Sequence, residues 1–370
     1  MKRIQKSRQT RASRTILVWG LGLTSLHGCG AGPRAREASG LSSEGAPAVL
    51  TPGSNPARGS AAVAKNDTCE SCHTEISREW RSSLHRQAFV EPAYQRALQR
   101  EPLPFCRGCH APEADAASPP SRELAELGVG CVTCHVVEGR ILAGGKGPAP
   151  DAHPVFRALS LTPAGACQSC HEFEFPDRAL RKRPLLMQST VSEHAASSMA
   201  GTTCASCHME RAADGHLRHD FQSSRDVERL RRAVHVEVAR RDGGRVVLTL
   251  EARGVGHALP TGDLFRRLEI GAELIGDDYR VLKRDHRYLT RHFRIAKLGS
   301  FAQRQLVRDD RLLEGQPRRV ELELVHPESS SRPIAWWVAY HRVAFPRANK
   351  EDAEIEQELL LASGTLPPAN

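Results

Sequence analysis

Apolar and polar positions alternate most regularly in the second half of the chain. Val234, Val236 and Val238 are separated by polar or small residues, and Val246, Leu248 and Leu250 repeat the pattern beyond Asp242-Gly243-Gly244. A period of two on either side of a glycine-containing turn predicts an antiparallel hairpin. "RVELELVHP" and "PIAWWVAYHRV" predict further strands, so residues 228 to about 347 read as an antiparallel β-sandwich-like domain. "EDAEIEQELLLAS" suits either a closing helix or a last strand, which carries the β-rich part to residue 370.

The first half has a different rhythm. In "EISREWRSSLHRQAF", Ile76, Trp80 and Leu84 recur every four residues, the spacing of one helical face. "SRELAELG" has a serine to open a helix and a glycine to stop it. These stretches are short, and aromatics make up 5% of the chain, so residues 66–227 have little material for an ordinary core.

At the amino end, "TILVWGLGLTSL" is too short to span a bilayer and follows six cations with no acid. That order predicts a secretory signal over residues 1–28. "LHGCG" resembles a lipobox, in which Cys29 becomes lipid-modified and N-terminal, although His27 replaces the usual small residue. Residues 29–65 are rich in Gly, Ala, Ser and Pro without an apolar period, and read as a flexible tether. The expected location is therefore periplasmic or at the cell surface, anchored to a membrane through lipid; Gly30 is compatible with the outer membrane.

Charge then removes one class of partner. The formal +9 loses six cations with the signal, leaving +3, with no aromatic platform among basic residues. Nucleic acid is not an expected partner.

Eleven cysteines need an explanation, and spacing provides it for ten. They fall in five copies of C-x-x-C-H: Cys69, Cys72 and His73; Cys106, Cys109 and His110; Cys131, Cys134 and His135; Cys167, Cys170 and His171; Cys204, Cys207 and His208. Thiols three residues apart suit thioethers to the two vinyl groups of one porphyrin edge, and the following imidazole suits the iron. Zinc ribbons and redox dithiols do not require that histidine. Five covalently bound haem c groups are the expected cofactors.

What fills the sixth iron position separates a carrier from a catalyst. The distal candidates are His85 beside the apolar stripe, His153 in the proline-bounded "APDAHPVF", His219 in "GHLRHDF" with His216 as its rival, His194, and His257. His194 shares a predicted helical face with Met187 and Val191. His257 sits in "RGVGHALPTGD", where three glycines and Pro260 suit a stiff loop. Met187, Met199 and Met209 are possible thioether ligands, though packing explains them as well.

Together, "CESCHTEISREWRSSLH", "VGCVTCHVV", "CQSCHEFEFP", "MQSTVSEH", "CASCHM" and "GHALPTGD" resemble the cytochrome c-552/4 group of multihaem c-type cytochromes. The resemblance covers most of residues 66–270. It implies close-packed, mostly bis-histidine haems in a mainly helical and irregular domain, an α+β protein overall. His194 stands where the resemblance leads us to expect tryptophan.

Two functions follow. With every motif ending in histidine and enough histidines to close five irons, electron transfer between redox partner proteins is the economical reading. The alternative is an oxidoreductase with one open haem, acting on nitrite, hydroxylamine or a sulfur oxyanion. A third possibility makes the β-rich part a docking module.

Overall fold

The computed structural model describes residues 58–144, 152–157, 165–176, 185–221, 225–298, 301–345 and 350–369. The expected signal, Cys29 and most of the expected tether lie outside them. The tether's last residues do not: helix α1 spans Ser60–Cys72 and already includes residues assigned to it. Among the described residues, no helix is long and apolar enough to cross a membrane.

Short helices carry the first half: α2 (Thr74–Ser82), α3 (Pro92–Arg100), α4 (Pro104–His110), α5 (Arg122–Leu127), α6 (Cys131–His135), α7 (Gly165–His171), α8 (Thr190–Ala195), α9 (Cys204–His208) and α10 (Val227–Ala233). Small strands interrupt them: β1 (Val136–Val137), β2 (Arg140–Ala143), β3 (Phe156–Arg157), β4 (Glu172–Glu174) and β5 (Leu186–Ser189). The apolar cluster here is small, with Ala62, Trp80, Leu127, Val132 and Val136 at its centre.

Buried polar groups do much of the joining in this half. Asn66 is fully buried; its Oδ1 accepts from Cys131 N at 2.7 Å, tying α1 to α6. Glu113, 1% exposed, accepts from Arg58 Nε at 2.7 Å and from Thr133 Oγ1 at 2.9 Å. Arg58 also donates to the Val132 and Val136 carbonyls. Such groups can be buried because each has its hydrogen-bond partner.

Two local expectations change. The helix predicted through Leu84 stops at Ser82, because Ser83 is extended and its hydroxyl accepts from Arg86 N at 3.2 Å, starting a separate turn. Met187 leaves the expected helix as well: β5 pairs with β4, and α8 begins only at Thr190.

The second half holds the longer strands. β6 (Val234–Arg241) and β7 (Arg245–Ala252) form the expected hairpin, and β12 (Arg318–Glu323) adds to β7. A four-stranded antiparallel sheet follows the order β14 (Glu354–Leu366), β13 (Ile334–Phe345), β8 (Arg266–Ile275), β9 (Val281–Leu289). β10 (Arg291–Leu298) and β11 (Phe301–Asp309) form a separate ribbon. The segment left open between helix and strand is therefore β14, which pairs along β13 from Leu366 to Glu354.

Alternating side chains of both larger sheets pool in one core. Leu248 and Leu250 of β7, Leu322 of β12, Leu268, Ile270 and Leu274 of β8, and Ile334 and Val338 of β13 are all fully buried. The first half touches this framework at two places that matter below. α3 packs on β13, and Glu91 at the start of α3 accepts from Arg225 at 3.0 Å, with Arg342 at 3.6 Å. α8 packs beside the loop that carries His257, where Thr190 and Thr261 hydroxyls lie 2.9 Å apart.

Candidate functional site

Each C-x-x-C-H ends a helix or a single helical turn. α4, α6, α7 and α9 finish on His110, His135, His171 and His208, and α1 finishes on Cys72 immediately before His73. Helical geometry brings residues three apart to one face, which puts both thiols of a motif on the same side.

The imidazoles show a regular arrangement. Ring centroids lie 6.2 Å apart for His73 and His153, 6.3 Å for His171 and His85, 6.2 Å for His135 and His219, and 6.2 Å for His208 and His257. Two ring nitrogens each about 2 Å from one metal ion are about 4 Å apart, which places the ring centres roughly 6 Å apart. Direct stacking would be closer. Four motif histidines therefore face a distal candidate across a gap of metal-bridging size.

Hydrogen bonds orient the same rings. A carbonyl oxygen lies by Nδ1 of His110 (Ala88, 2.6 Å), His135 (Leu142, 2.8 Å), His219 (Leu217, 2.7 Å) and His257 (Ala258, 3.0 Å). A carbonyl can only accept, so Nδ1 carries the proton and the Nε2 lone pair is left for a metal. Burial also keeps His85, His208 and His219 neutral, the form that coordinates. It pushes His85 down to about 3, and His208 and His219 down to about 4, with neighbouring histidines adding to the effect. These features fit an iron held between imidazoles.

His110 differs from the other four. Its ring stacks on Tyr94 at 3.8 Å and 9°, too close for an ion between them. Among the described residues, no imidazole stands opposite it at the bridging separation. The buried Tyr94 hydroxyl has no hydrogen-bond partner among those residues. Asp263 and Arg266 are near enough to act on His110 in opposite directions, Asp263 favouring the proton and Arg266 opposing it, against a burial that lowers its pKa overall.

The remaining candidates have other surroundings. His194 does not reach His110; its imidazole lies beside the His257 loop, where a Cβ on Gly256 would come within 3.1 Å of His194 Cδ2 and Met199 Cβ. The turn of α8 directs it there. His216, the rival of His219, is held by carboxylates, with Nδ1 2.5 Å from Asp214 and Nε2 3.2 Å from both oxygens of Glu79. A cleft of about 200 Å³ opens beside Cys72 and His73 and reaches Asp214 and His216.

The cysteines mark which motifs adjoin. A hydrogen bond between Cys109 and Cys170 raises the first thiol and lowers the second to about 7; Cys167 and Cys204 form a similar pair. Cys131 is raised to about 12 by burial and then by Cys69, and Cys134 to about 12 by burial and then by Cys170. The third motif thus lies by the first and fourth, and the fourth also by the second and fifth.

Some groups that shape the site carry no sequence signal. Gln188 places its side-chain amide 2.9 Å from His171 Nδ1, and Glu193 and Arg311 meet at 2.7 Å behind the His257 loop. Only the sheet pairings and chain crossings bring them there.

Residues 68–136 match the family described as cytochrome c554 and c-prime, a span that includes three of the five motifs. The structure resembles that of a penta-heme cytochrome c552 from Thermochromatium tepidum, with TM-score 0.60 and 20% identity over 84% of this chain and 99% of that one. A β-glucuronidase of glycoside hydrolase family 2 also aligns, at TM-score 0.17 and 8% identity over 37% of this chain and 11% of that one, too little to carry an argument. No curated protein matches the sequence. The matched segment is similar to that family over three motifs, and the solved structure shares the mixed helix-and-antiparallel-sheet fold.

Proposed function

We propose that this protein is an exported pentahaem cytochrome c that passes electrons between redox partner proteins, tethered to a membrane by lipid on Cys29. Haem c, when bound, supplies a centre that gains and loses one electron. Cys69, Cys72, Cys106, Cys109, Cys131, Cys134, Cys167, Cys170, Cys204 and Cys207 would hold five such groups. His73, His110, His135, His171 and His208 would be the proximal ligands. His153, His219, His85 and His257 would close four irons, opposite His73, His135, His171 and His208.

The observation that carries this reading is the set of four imidazole pairs at 6.2–6.3 Å. Neighbouring motif cysteines support it, because porphyrin edges attached at close sulfurs are themselves close. A path from the first motif through the third to the fourth follows, with the second and fifth as branches. The test is a haem count per chain by pyridine haemochrome, followed by a reductive titration. Five haems, reduced and reoxidised without a spectral change beyond the redox difference, is the expected result; fewer than five would contradict it.

His110 favours a second reading of one branch, since no imidazole faces it. An iron open there would bind a small ligand, as the oxidoreductase reading requires. Asp263 and Arg266 are charged groups near enough to influence that position. Spectral titration of the holoprotein with nitrite, hydroxylamine and sulfite tests it: a saturable shift in one haem supports the reading, and no shift with any of them contradicts it.

A further inference from the structure

The loop that carries His257 is held by a group that no ligation scheme includes. The Glu193 side chain of α8 is 11% exposed, and four donors converge on its carboxylate. Oε2 accepts from Thr261 Oγ1 at 2.7 Å and Ala258 N at 3.3 Å. Oε1 accepts from Ser189 Oγ at 2.6 Å and Arg311 Nη2 at 2.7 Å. Ala258 directly follows His257, and Thr261 lies four residues beyond it, so one side chain grips the loop on the far side of the ligand at two points.

Arg311 braces that grip. It is 6% exposed along its side chain, and it also donates to Asp309 at 2.9 and 2.7 Å and toward the Pro260 carbonyl at 3.4 Å. The backbone adds a second attachment, with Leu259 N to Leu312 O at 2.8 Å and Leu312 N to Leu259 O at 2.9 Å. On the opposite side, Gly256 lies so close to His194 and Met199 that a Cβ there would crowd them at 3.1 Å.

The chemistry of the position asks for an anion. A carboxylate only accepts, and its lone pairs match four donors. An amide of the same shape would keep one acceptor oxygen for the loop but lose the charge. The contacts also continue in the other direction: Thr261 lies 2.9 Å from the Thr190 hydroxyl, which accepts from Gln188 Nε2 at 3.2 Å, and Gln188 touches His171 Nδ1. The carboxylate thus stands between a distal ligand candidate and a proximal one.

We infer that Glu193, braced by Arg311, is the positioning residue that holds His257 at the iron shared with His208 and that its negative charge lowers the reduction potential there. This rests on reading His208 and His257 as an axial pair. The test uses the holoprotein with all haems attached, comparing Glu193→Ala, Glu193→Gln, Glu193→Asp and His257→Ala. The readouts are haem count, the number of haems that bind carbon monoxide when reduced, and the set of midpoint potentials.

His257→Ala is expected to add one carbon-monoxide-reactive haem relative to the unaltered protein. Glu193→Ala should add the same one, and Glu193→Asp should restore closure. Glu193→Gln should leave the count near that of the unaltered protein while shifting one reduction equilibrium about tenfold toward the reduced state, about 59 mV for a one-electron couple. If His257→Ala opens no haem, the axial assignment itself fails. If it does open one, but Glu193→Ala and Glu193→Gln leave both count and potentials unchanged, the positioning role is wrong. Should Glu193→Ala lose haem altogether, Glu193→Gln decides between the same two results through the potential.

Discussion

The two halves of the chain are stabilised in different ways. Among the described residues, the β-rich half has 21 buried residues in one apolar cluster, whereas the cluster around Trp80 has five. The helical half compensates with buried polar joints such as Asn66 and Glu113, and with imidazoles spaced for something other than protein. One half is arranged around its own side chains. The other, on the proposed reading, is arranged around histidines that would hold haem.

That contrast gives its largest expected effect when haem attachment is prevented. Protein made without attachment should lose most of its far-ultraviolet helical signal, and a protease should digest the helical half while sparing residues from about 234 onward. Equal protection of both halves would remove the contrast.

A core substitution should act the other way. Leu248→Ala or Ile270→Ala empties a fully buried position between the sheets and should cost about 2–5 kcal/mol in denaturant unfolding. The haem spectra below the transition should not change. Spectral changes at His257's haem alone would sharpen the comparison by showing how far the loop depends on the sheets.

Within the helical half, His219→Ala should make one further haem reactive with carbon monoxide, and His216→Ala should make none. Gly128→Ala is the backbone counterpart. That glycine has φ +57°, and a Cβ there would lie 2.5 Å from the His85 carbonyl, so a loss of about 1–3 kcal/mol is expected together with a disturbed spectrum at one haem. Unaltered spectra would mean that His85 does not depend on this turn.

The smallest effect concerns acid. Burial raises the Asp310 carboxyl, but His292, Thr290 N and Arg308 together bring it below the usual aspartate range. A depressed folded pKa contributes stability above the unfolded value of about 3.9, and this is lost as pH falls through the folded one. Asp310→Asn should flatten the acid side of the β-rich half's stability profile; an unchanged profile would argue against it.

The sequence made some of this architecture legible and hid the rest. Alternation identified the β6–β7 hairpin, because a strand's period is visible over a few residues. β14 stayed ambiguous: "EDAEIEQELLLAS" is compatible with both periods, and only pairing with β13 decides. His85, His153, His219 and His257 could be singled out as ring candidates, but not matched to motifs, since matching depends on chain crossings. His194 was drawn in by an apparent helical face that breaks at β5. Its neighbour Glu193 had no signal, because its partners Ala258, Thr261 and Arg311 are 65 to 118 residues away.

That four irons are closed by imidazole pairs is the claim on which the account depends most. Its most direct test is to reduce the holoprotein under argon, expose it to carbon monoxide, and compare the absorbance change with the total haem by pyridine haemochrome. The account predicts five haems per chain and a shift in at most one of them, the one at His110. A shift of none would show that His110's iron is capped by a residue not assigned here, and a shift of two or more would break the imidazole pairs.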